Sequence, residues 1–356
     1  MNALANNAIS QGSRHSWSIG ERRHEIGAAD DDPSRAPRVL TSIREFIATA
    51  AVTPAQRSLF ETALGGVEGY LTPAAEVGGY GPSIELPLAV YAATTGEEEG
   101  AVPLAAACAL VCLCAKLFDD LADGDRQAYW AERSGAEINL AAATMLCALP
   151  PLLLARLDIA PMRRLRLQQI LAEGLLRISA GQQTDLALTG KDEVTVAAVE
   201  AAVAGKTGER FATYCALAAE MAGVMPQAAA LFASFGREIG IARQFLSDCH
   251  ELLFDQECRD LTHGTRTMPI VTHVSALTRG DRSRFLALLD RARTDRQAHE
   301  EARRELCASV ALSKVIFKAR LHYGRARALI DLLGIRDPGR TRLIHLAGPG
   351  SGPATR

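Results

Sequence analysis

Three aspartates close an apolar stretch of the sequence and could together hold a cation. Asp119, Asp120 and Asp123 lie at the end of a predicted apolar helix, 102–122. Asp119 and Asp123 are four residues apart, which places them one above the other on the same helix face. Such carboxylates repel one another, and apolar surroundings make their ionisation costly. A hard divalent ion such as Mg²⁺ would compensate; the alternative is a helix end whose acids simply face water.

A second polar stripe occurs on a later apolar stretch. Gln244, Ser247, Asp248 and Glu251 lie within the segment 239–253, which is otherwise largely apolar. On a helix their side chains point within roughly 100° of one another. Polar groups on an apolar helix are costly without a partner, and a metal shared with the first acids would supply one. An amphipathic helix with its polar side in water explains the same pattern.

Two shorter polar motifs lie between these stretches. Gln182 and Asp185 close one predicted helix, and Lys206 and Thr207 sit at a junction between two others. A lysine there could reach a diphosphate oxygen as a point charge. Neither motif is specific alone, because lone lysines and polar side chains usually face solvent.

The elements that must position these residues are almost all helices. Alanine and leucine dominate, and β-branched or aromatic runs bounded by turns are nearly absent. Several predicted helices are apolar around most of their circumference, which favours one large bundle. The predicted helices are 84–95, 102–122, 136–149, 162–186, 194–205, 208–221, 228–254 and 297–333, with breaks at Gly78-Gly79, Pro150-Pro151, Gly190 and Gly264.

Composition restricts the possible functions. The chain has 356 residues, of which 48% are hydrophobic, and a formal net charge of -2, so it can bury a core but offers no basic field for nucleic acid. Its 8 cysteines lack zinc-site spacing and, with no signal peptide, are expected to be reduced thiols in the cytoplasm. The apolar run 101–115 falls short of the roughly 20 residues of a membrane span. Residues 1–38 and 346–356 are expected to be a disordered and a loose tail around a helical domain, 39–345.

The order of these motifs resembles that of the trans-isoprenyl diphosphate synthases, or polyprenyl synthetases. The first acids resemble the family's first aspartate-rich motif, and 244–251 its second acidic motif. The segments 181–186, 206–208 and 260–269 resemble its GQxxDL, KTG and DLxxGKxTLP motifs. The resemblance implies an all-α fold, namely a single large helical bundle of the class I isoprenoid synthase type around a central apolar cavity. It also implies a homodimer.

The resemblance further implies the chemistry. Three Mg²⁺ ions would join both acidic helices to the diphosphate of an allylic prenyl substrate and promote its ionisation, while a dry cavity shields the carbocation. The implied metal ligands are Asp119, Asp120, Asp123, Ser247, Asp248 and Glu251. The implied substrate contacts are Gln182, Asp185, Lys206, Thr207, Gln244, Arg126 and Arg266. The implied catalytic residues are Asp119, Asp120, Asp123, Lys206 and Gln244.

Departures from the family pattern leave the reaction open. The glycine-rich segment 78–82 lacks the basic residues that hold isopentenyl diphosphate in the family, and Arg126 and Arg133 stand where an Arg-Arg pair is usual. Ser247 and Glu251 alter the second acidic motif, which makes the third Mg²⁺ less certain. Losing several cationic contacts should weaken the binding of a second diphosphate.

These departures allow three reactions. The protein could elongate prenyl chains with isopentenyl diphosphate, using Arg126, Arg133 or Arg266 for the second diphosphate. It could transfer the prenyl group to another acceptor, or act as a terpene cyclase on one diphosphate. A non-catalytic partner subunit of a heteromeric synthase is a further alternative, against which the intact first acidic motif argues.

Small side chains precede the first acidic motif. Cys114 and Ala115 lie five and four residues before Asp119. By analogy with the family, they would leave the cavity open for a substrate or product of about C15 to C20 or longer. Close packing between helices explains small residues there equally well.

Overall fold

A computed structural model describes residues 32, 34–67, 81–124, 130–255 and 257–348, and every regular element in these ranges is a helix. For residues 66, 67 and 123 it describes the backbone only. The helices in chain order are α1 (Arg35–Ala50), α2 (Pro54–Val67), α3 (Gly81–Thr95), α4 (Val102–Asp123), α5 (Gly135–Cys147), α6 (Leu149–Ala155), α7 (Pro161–Leu188), α8 (Val196–Val203), α9 (Glu209–Ala222), α10 (Pro226–Phe254), α11 (Arg259–His263), α12 (Met268–Ala276), α13 (Arg279–Ala292), α14 (Arg296–Ala308), α15 (Ala311–Leu333) and α16 (Gly339–Leu346). A 3₁₀ turn, Glu99–Ala101, precedes α4, and a π-helical segment, Ala204–Gly208, joins α8 to α9.

Two apolar clusters form the core, and α4 contributes residues to both of them. Val111 belongs to the cluster built mainly by α7, α9, α10 and α15, whereas Leu110 belongs to the cluster built by α1, α2, α5 and α6. α4 therefore buries both of its faces, as expected of a central helix. α9 packs against α3, α7 and α10, and α10 packs along α15.

Local sequence signals set the ends of the helices that carry the candidate site. α4 ends at Gly124, whose φ of 73° is the left-handed conformation that glycine adopts at low cost. The predicted breaks at Gly190 and Gly264 are confirmed, with φ values of 70° and 74°. The two turns meet, since the Gly190 amide donates to the Gly264 carbonyl oxygen at 3.0 Å.

Two predicted boundaries are wrong. Pro150 and Pro151 do not lie between two helices but in the first turn of α6. Backbone N–H groups in the first turn have no partner within the helix, so proline is tolerated there. The predicted helix 297–333 is two helices, α14 and α15. Ser309 separates them, because its hydroxyl donates to the Leu306 carbonyl and accepts from the Ala311 amide.

The first described helix overlaps the expected N-terminal tail. α1 begins at Arg35, and Val39, Ile43 and Ile47 form a fully buried stripe along it. This stripe packs into the second apolar cluster, so the tail expected for 1–38 ends before Arg35 within the described residues. Residues 1–31 and 33, the predicted break at Gly78-Gly79 and residues 349–356 lie outside the described residues.

Two described stretches, Glu99–Ala122 and Gly135–Ala155, are long and apolar enough to cross a membrane by length and composition alone. No membrane span was expected from the 101–115 run, which is shorter than the helix that contains it. Of the first stretch 78% is buried inside the protein, and of the second 44%. A core helix passes the same test, and α4 is such a helix.

Close backbone contacts clamp the π segment between α7 and α10. A Cβ on Gly181 would lie 2.1 Å from the carbonyl carbon of Gly205 and 2.3 Å from the amide nitrogen of Lys206. On the other side, a Cβ on Gly240 would lie 2.6 Å from the carbonyl oxygen of Thr207. Only glycine permits such approaches. The residues of the π segment are therefore held by backbone contacts from two helices.

Gly181→Ala should destabilise the protein, because the added methyl group would overlap the backbone of the π segment. We expect the free energy of unfolding to fall by about 1–3 kcal/mol, measured by urea denaturation followed by circular dichroism. Gly324→Ala in α15 is the matched control, since a Cβ there meets no heavy atom within 4 Å. The control should be neutral or gain up to about 1 kcal/mol. Equal stabilities of the two variants would contradict the clamp.

Candidate active site

Lys206 lies between carboxylates from two helices. Its Nζ is 3.4 Å from Oδ1 of Asp119, at the end of α4, and 3.4 Å from Oδ2 of Asp185, on α7. Gln182, one turn before Asp185, donates from Nε2 to the same Asp119 oxygen at 3.0 Å. The lysine and aspartate side chains are 25–30% exposed, so the group lies at a partly solvent-exposed place, which we call the cleft. Four residues predicted from three motifs thus meet at one place.

The charge of Lys206 is maintained by these neighbours. Burial, the largest single effect, lowers the pKa of the Lys206 ammonium, but Asp119 and Asp185 together outweigh it and raise the pKa above its ordinary value. Lys206 is therefore a cation at neutral pH. It provides a positive charge at this partly exposed place.

A hydrogen-bond chain links the π segment to the second acidic stripe. The buried Thr207 hydroxyl donates to Oε1 of Gln244 at 2.8 Å, and Nε2 of Gln244 donates to Oδ1 of Asp248 at 2.9 Å. The other Asp248 oxygen accepts from the Met268 amide, at the start of α12, at 3.4 Å. Ser247 lies on the same stripe and is partly buried. Adjacent residues 206 and 207 thus contact the first and the second acidic stretch, respectively.

The second acidic stripe is crowded enough to disturb ionisation. Burial, reinforced by Asp185 and Glu251, raises the pKa of Asp248 to about 7, although hydrogen bonds from Gln244 and the Met268 amide oppose the shift. Burial raises the pKa of Asp260 well above its usual range, and Glu251 and Asp248 add to the effect. These carboxylates therefore repel one another across α10 and α11.

Asp260 is a site residue that the sequence analysis did not single out. Its amide donates to Oε1 of Glu251 at 3.0 Å, which attaches the start of α11 to the end of α10. The available signal was its position as the first residue of the 260–269 motif. The sequence alone does not indicate that this aspartate folds back onto Glu251.

Mg²⁺ fits the site by donor type. Carboxylate and hydroxyl oxygens are the ligands that this ion prefers. Burial first, and repulsion among the acids second, raise the pKa values of Asp248 and Asp260, and a divalent cation would relieve that repulsion. Among the described side chains, no group of three His, Cys, Asp or Glu is placed to hold one ion, and the Asp123 side chain is not described. The ligand geometry of the predicted metal site stays a prediction.

Two predicted site residues have other partners within the described residues. Asp120 pairs with Lys116 one turn earlier and lines a cavity of about 130 Å³ beside Trp130. Arg266 is buried, and its Nε donates to the Lys191 carbonyl at 2.7 Å. Its guanidinium therefore holds two loops together, and burial lowers its pKa. Arg126 lies outside the described residues.

The residues predicted to set cavity depth differ in their surroundings. Cys114 is fully buried in the second apolar cluster, whereas Ala115 is partly exposed. The cavity beside Asp120, about 130 Å³, is smaller than the roughly 300 Å³ at which ligand pockets begin. An open central cavity for a long prenyl chain stays a prediction.

Fold and site together define an all-α protein of the class I isoprenoid synthase type, and comparisons identify the family. A sequence profile of the polyprenyl synthetases matches residues 85–306. The chain therefore belongs to the polyprenyl synthetase family, which confirms the resemblance to a family of prenyltransferase enzymes.

Individual relatives agree with this assignment. The chain is 29% identical to geranylgeranyl diphosphate synthase from Mycobacterium tuberculosis (strain ATCC 25618 / H37Rv) over 235 residues, which cover 63% of this chain and 66%, just under two thirds, of that protein. The crystal structure of polyprenyl synthetase from Streptomyces coelicolor A3(2) superposes with a TM-score of 0.74 at 22% identity, covering 88% of this chain and 97% of that one. The crystal structure of a decaprenyl diphosphate synthase from Rhodobacter capsulatus superposes with a TM-score of 0.72 at 18% identity, covering 88% of this chain and 94% of that one. The predicted helical-bundle fold is thereby confirmed.

The raised pKa of Asp248 predicts a pH-dependent stability. A folded protein that keeps this proton up to about pH 7, while the unfolded chain releases it near pH 4, loses stability as pH rises between those values. One proton contributes a slope of at most about 1.4 kcal/mol per pH unit. Urea unfolding in EDTA at pH 5, 6 and 7 should show a flatter pH dependence for Asp248→Asn than for the wild type.

Asp331→Asn provides the control for this experiment. Asp331 is 64% exposed and pairs with Arg340 at the surface, so its loss should leave the slope unchanged. A wild-type slope equal to that of Asp248→Asn would mean that Asp248 is already ionised at pH 5.

Proposed function

We propose that the protein is a Mg²⁺-dependent prenyltransferase that ionises an allylic prenyl diphosphate and elongates it with isopentenyl diphosphate. The observation that carries this proposal is the convergence of Asp119, Gln182, Asp185 and Lys206 at one edge of the buried acids on α10. A cation flanked by carboxylates offers both a contact for an anionic diphosphate and ligands for its metal. Membership of the polyprenyl synthetase family supports the same chemistry.

Residues of two helices are proposed to bind the Mg²⁺ that holds the diphosphate. Asp119 and Asp123 on α4, with Ser247, Asp248 and Glu251 on α10, are the proposed Mg²⁺ ligands. Bound Mg²⁺ supplies Lewis-acid neutralisation of the charge on the leaving diphosphate.

The remaining residues of the site orient the reactants. Lys206 adds a direct charge-assisted hydrogen bond to a diphosphate oxygen. Gln244 is fixed between Thr207 and Asp248 and would support the diphosphate or the loss of a proton from the cation. The apolar faces of α4 and α9 exclude water from the carbocation.

Elongation is favoured because the relatives described above are named as synthases of geranylgeranyl and decaprenyl diphosphate. They give no support to the alternative of a terpene cyclase. Transfer to another acceptor is the second candidate, since Arg266, one of the arginines proposed for a second diphosphate, is occupied by backbone carbonyls. A non-catalytic partner subunit is disfavoured by the assembled Asp119–Lys206–Asp185 group. A homodimer and a cytoplasmic location stay predictions.

Asp119→Ala should abolish diphosphate release. With geranyl, farnesyl or geranylgeranyl diphosphate plus MgCl₂, we expect the variant to release inorganic diphosphate at least about 100-fold more slowly than the wild type, because the leaving group loses its charge stabilisation. Asp331→Ala, the same substitution at an exposed site, should stay within about twofold of the wild type. Turnover of Asp119→Ala at the control rate would remove this residue from the site.

The acceptor is identified by comparing products formed with and without isopentenyl diphosphate. We expect longer prenyl alcohols, recovered after phosphatase treatment, in reactions that contain it. Hydrocarbons formed in its absence would instead establish a cyclase. Chromatography of both the hydrocarbon and the phosphatase-treated fractions, with EDTA-treated reactions as the control, separates these outcomes.

A further inference from the structure

The contacts of Lys206 have a consequence for metal binding beyond the direct diphosphate contact. Its ammonium lies at equal distances, 3.4 Å, from Asp119 on α4 and Asp185 on α7. It therefore joins α4 to α7 through Asp119, which is itself a proposed Mg²⁺ ligand. The same Asp119 oxygen also accepts from Gln182, so it is occupied by two donors at once.

We infer that Lys206 is an internal cation that holds α4 against α7 and competes with Mg²⁺ for Asp119. The inference rests on the proposed function, because it concerns the same metal. Mg²⁺ binds oxygen at about 2.0–2.1 Å and would repel an ammonium that contacts the same carboxylate oxygen. Metal binding would then displace Lys206 and make it available to a diphosphate.

The structure allows the side chain to move while its backbone stays in place. The backbone at 205–207 is clamped by Gly181 on one side and Gly240 on the other. The Lys206 side chain is 25% exposed and ends at the cleft, so it can turn outward without displacing a core residue. Arg210, one turn later, lies close enough to repel the ammonium and favours its departure once the carboxylates are engaged elsewhere.

A second interhelical lysine shows what a purely structural bridge looks like. Lys318 on α15 pairs with Glu200 on α8 at 2.5 Å, and both side chains are about one third exposed. It has the same charge and a comparable exposure but is not part of the acidic group around Lys206. Lys318→Gln is therefore the matched control for Lys206→Gln.

The first test measures Mg²⁺ binding directly, with MgCl₂ alone and no diphosphate. By isothermal titration calorimetry we expect Lys206→Gln to bind Mg²⁺ about tenfold more tightly than the wild type. Lys206→Arg, which keeps the charge, and Lys318→Gln should both match the wild type. In EDTA, Lys206→Gln should melt a few degrees lower, because α4 and α7 lose their bridge. Unchanged or weaker Mg²⁺ binding by Lys206→Gln overturns the inference.

The second test needs only the wild-type protein and covers the case in which Lys206→Gln does not fold. Acylation by an N-hydroxysuccinimide ester, followed by peptide mass spectrometry, should modify Lys206 severalfold faster with MgCl₂ than with EDTA. Lys318 in the same digest should be modified at one rate in both conditions. Equal Lys206 rates overturn the inference.

The two tests separate this inference from the proposed function. A wild type that releases diphosphate with Mg²⁺, beside a Lys206→Gln variant without any gain in Mg²⁺ affinity, refutes the competition alone. A wild type that neither binds Mg²⁺ nor releases diphosphate refutes both.

Discussion

The site depends on one electrostatic constraint, which is that carboxylates from several helices are gathered at a half-buried place and need positive charge. Lys206 supplies part of it, and its reach to both Asp119 and Asp185 is possible because α7 and the π segment touch backbone to backbone. A side chain larger than hydrogen at Gly181 would push the lysine away from α7. The ion pairs of Lys206 therefore depend on the close packing of two glycines, Gly181 and Gly205.

The π segment explains how neighbouring residues serve opposite walls of the cleft. Successive residues of a helical segment point in different directions, so Lys206 points to α4 and α7 while Thr207 points to Gln244 on α10. Glu209, immediately after the segment, pairs with Arg177 on α7 at 3.0 Å and with Arg237 on α10 at 2.9 Å. These pairs fix the same two helices one turn below the site, so the position of the segment does not rest on Lys206 alone.

Helical periodicity predicted which residues form the polar stripes, since Gln244 and Asp248 do lie one turn apart and hydrogen-bonded. It could not decide between Asp119 and Asp120, because α4 is apolar on both sides and offers no polar face to orient them. The role assigned to Arg266 depended on charge alone. Its actual partner, the Lys191 carbonyl, is 75 residues away in sequence, and such a contact arises only from the tertiary fold.

The same acid crowding connects the fold to the proposed chemistry. Burial and repulsion among the acids raise the pKa of Asp248 to about 7 and that of Asp260 well above its usual range, so these carboxylates tend to keep their protons. A proton neutralises a carboxylate but cannot bridge it to a phosphate, whereas a divalent cation does both. Carboxylates that keep their protons in the folded protein can therefore exchange those protons for a metal ion. Burying aspartates in an apolar helical core is costly, and the exchange of protons for metal gives a functional reason for it.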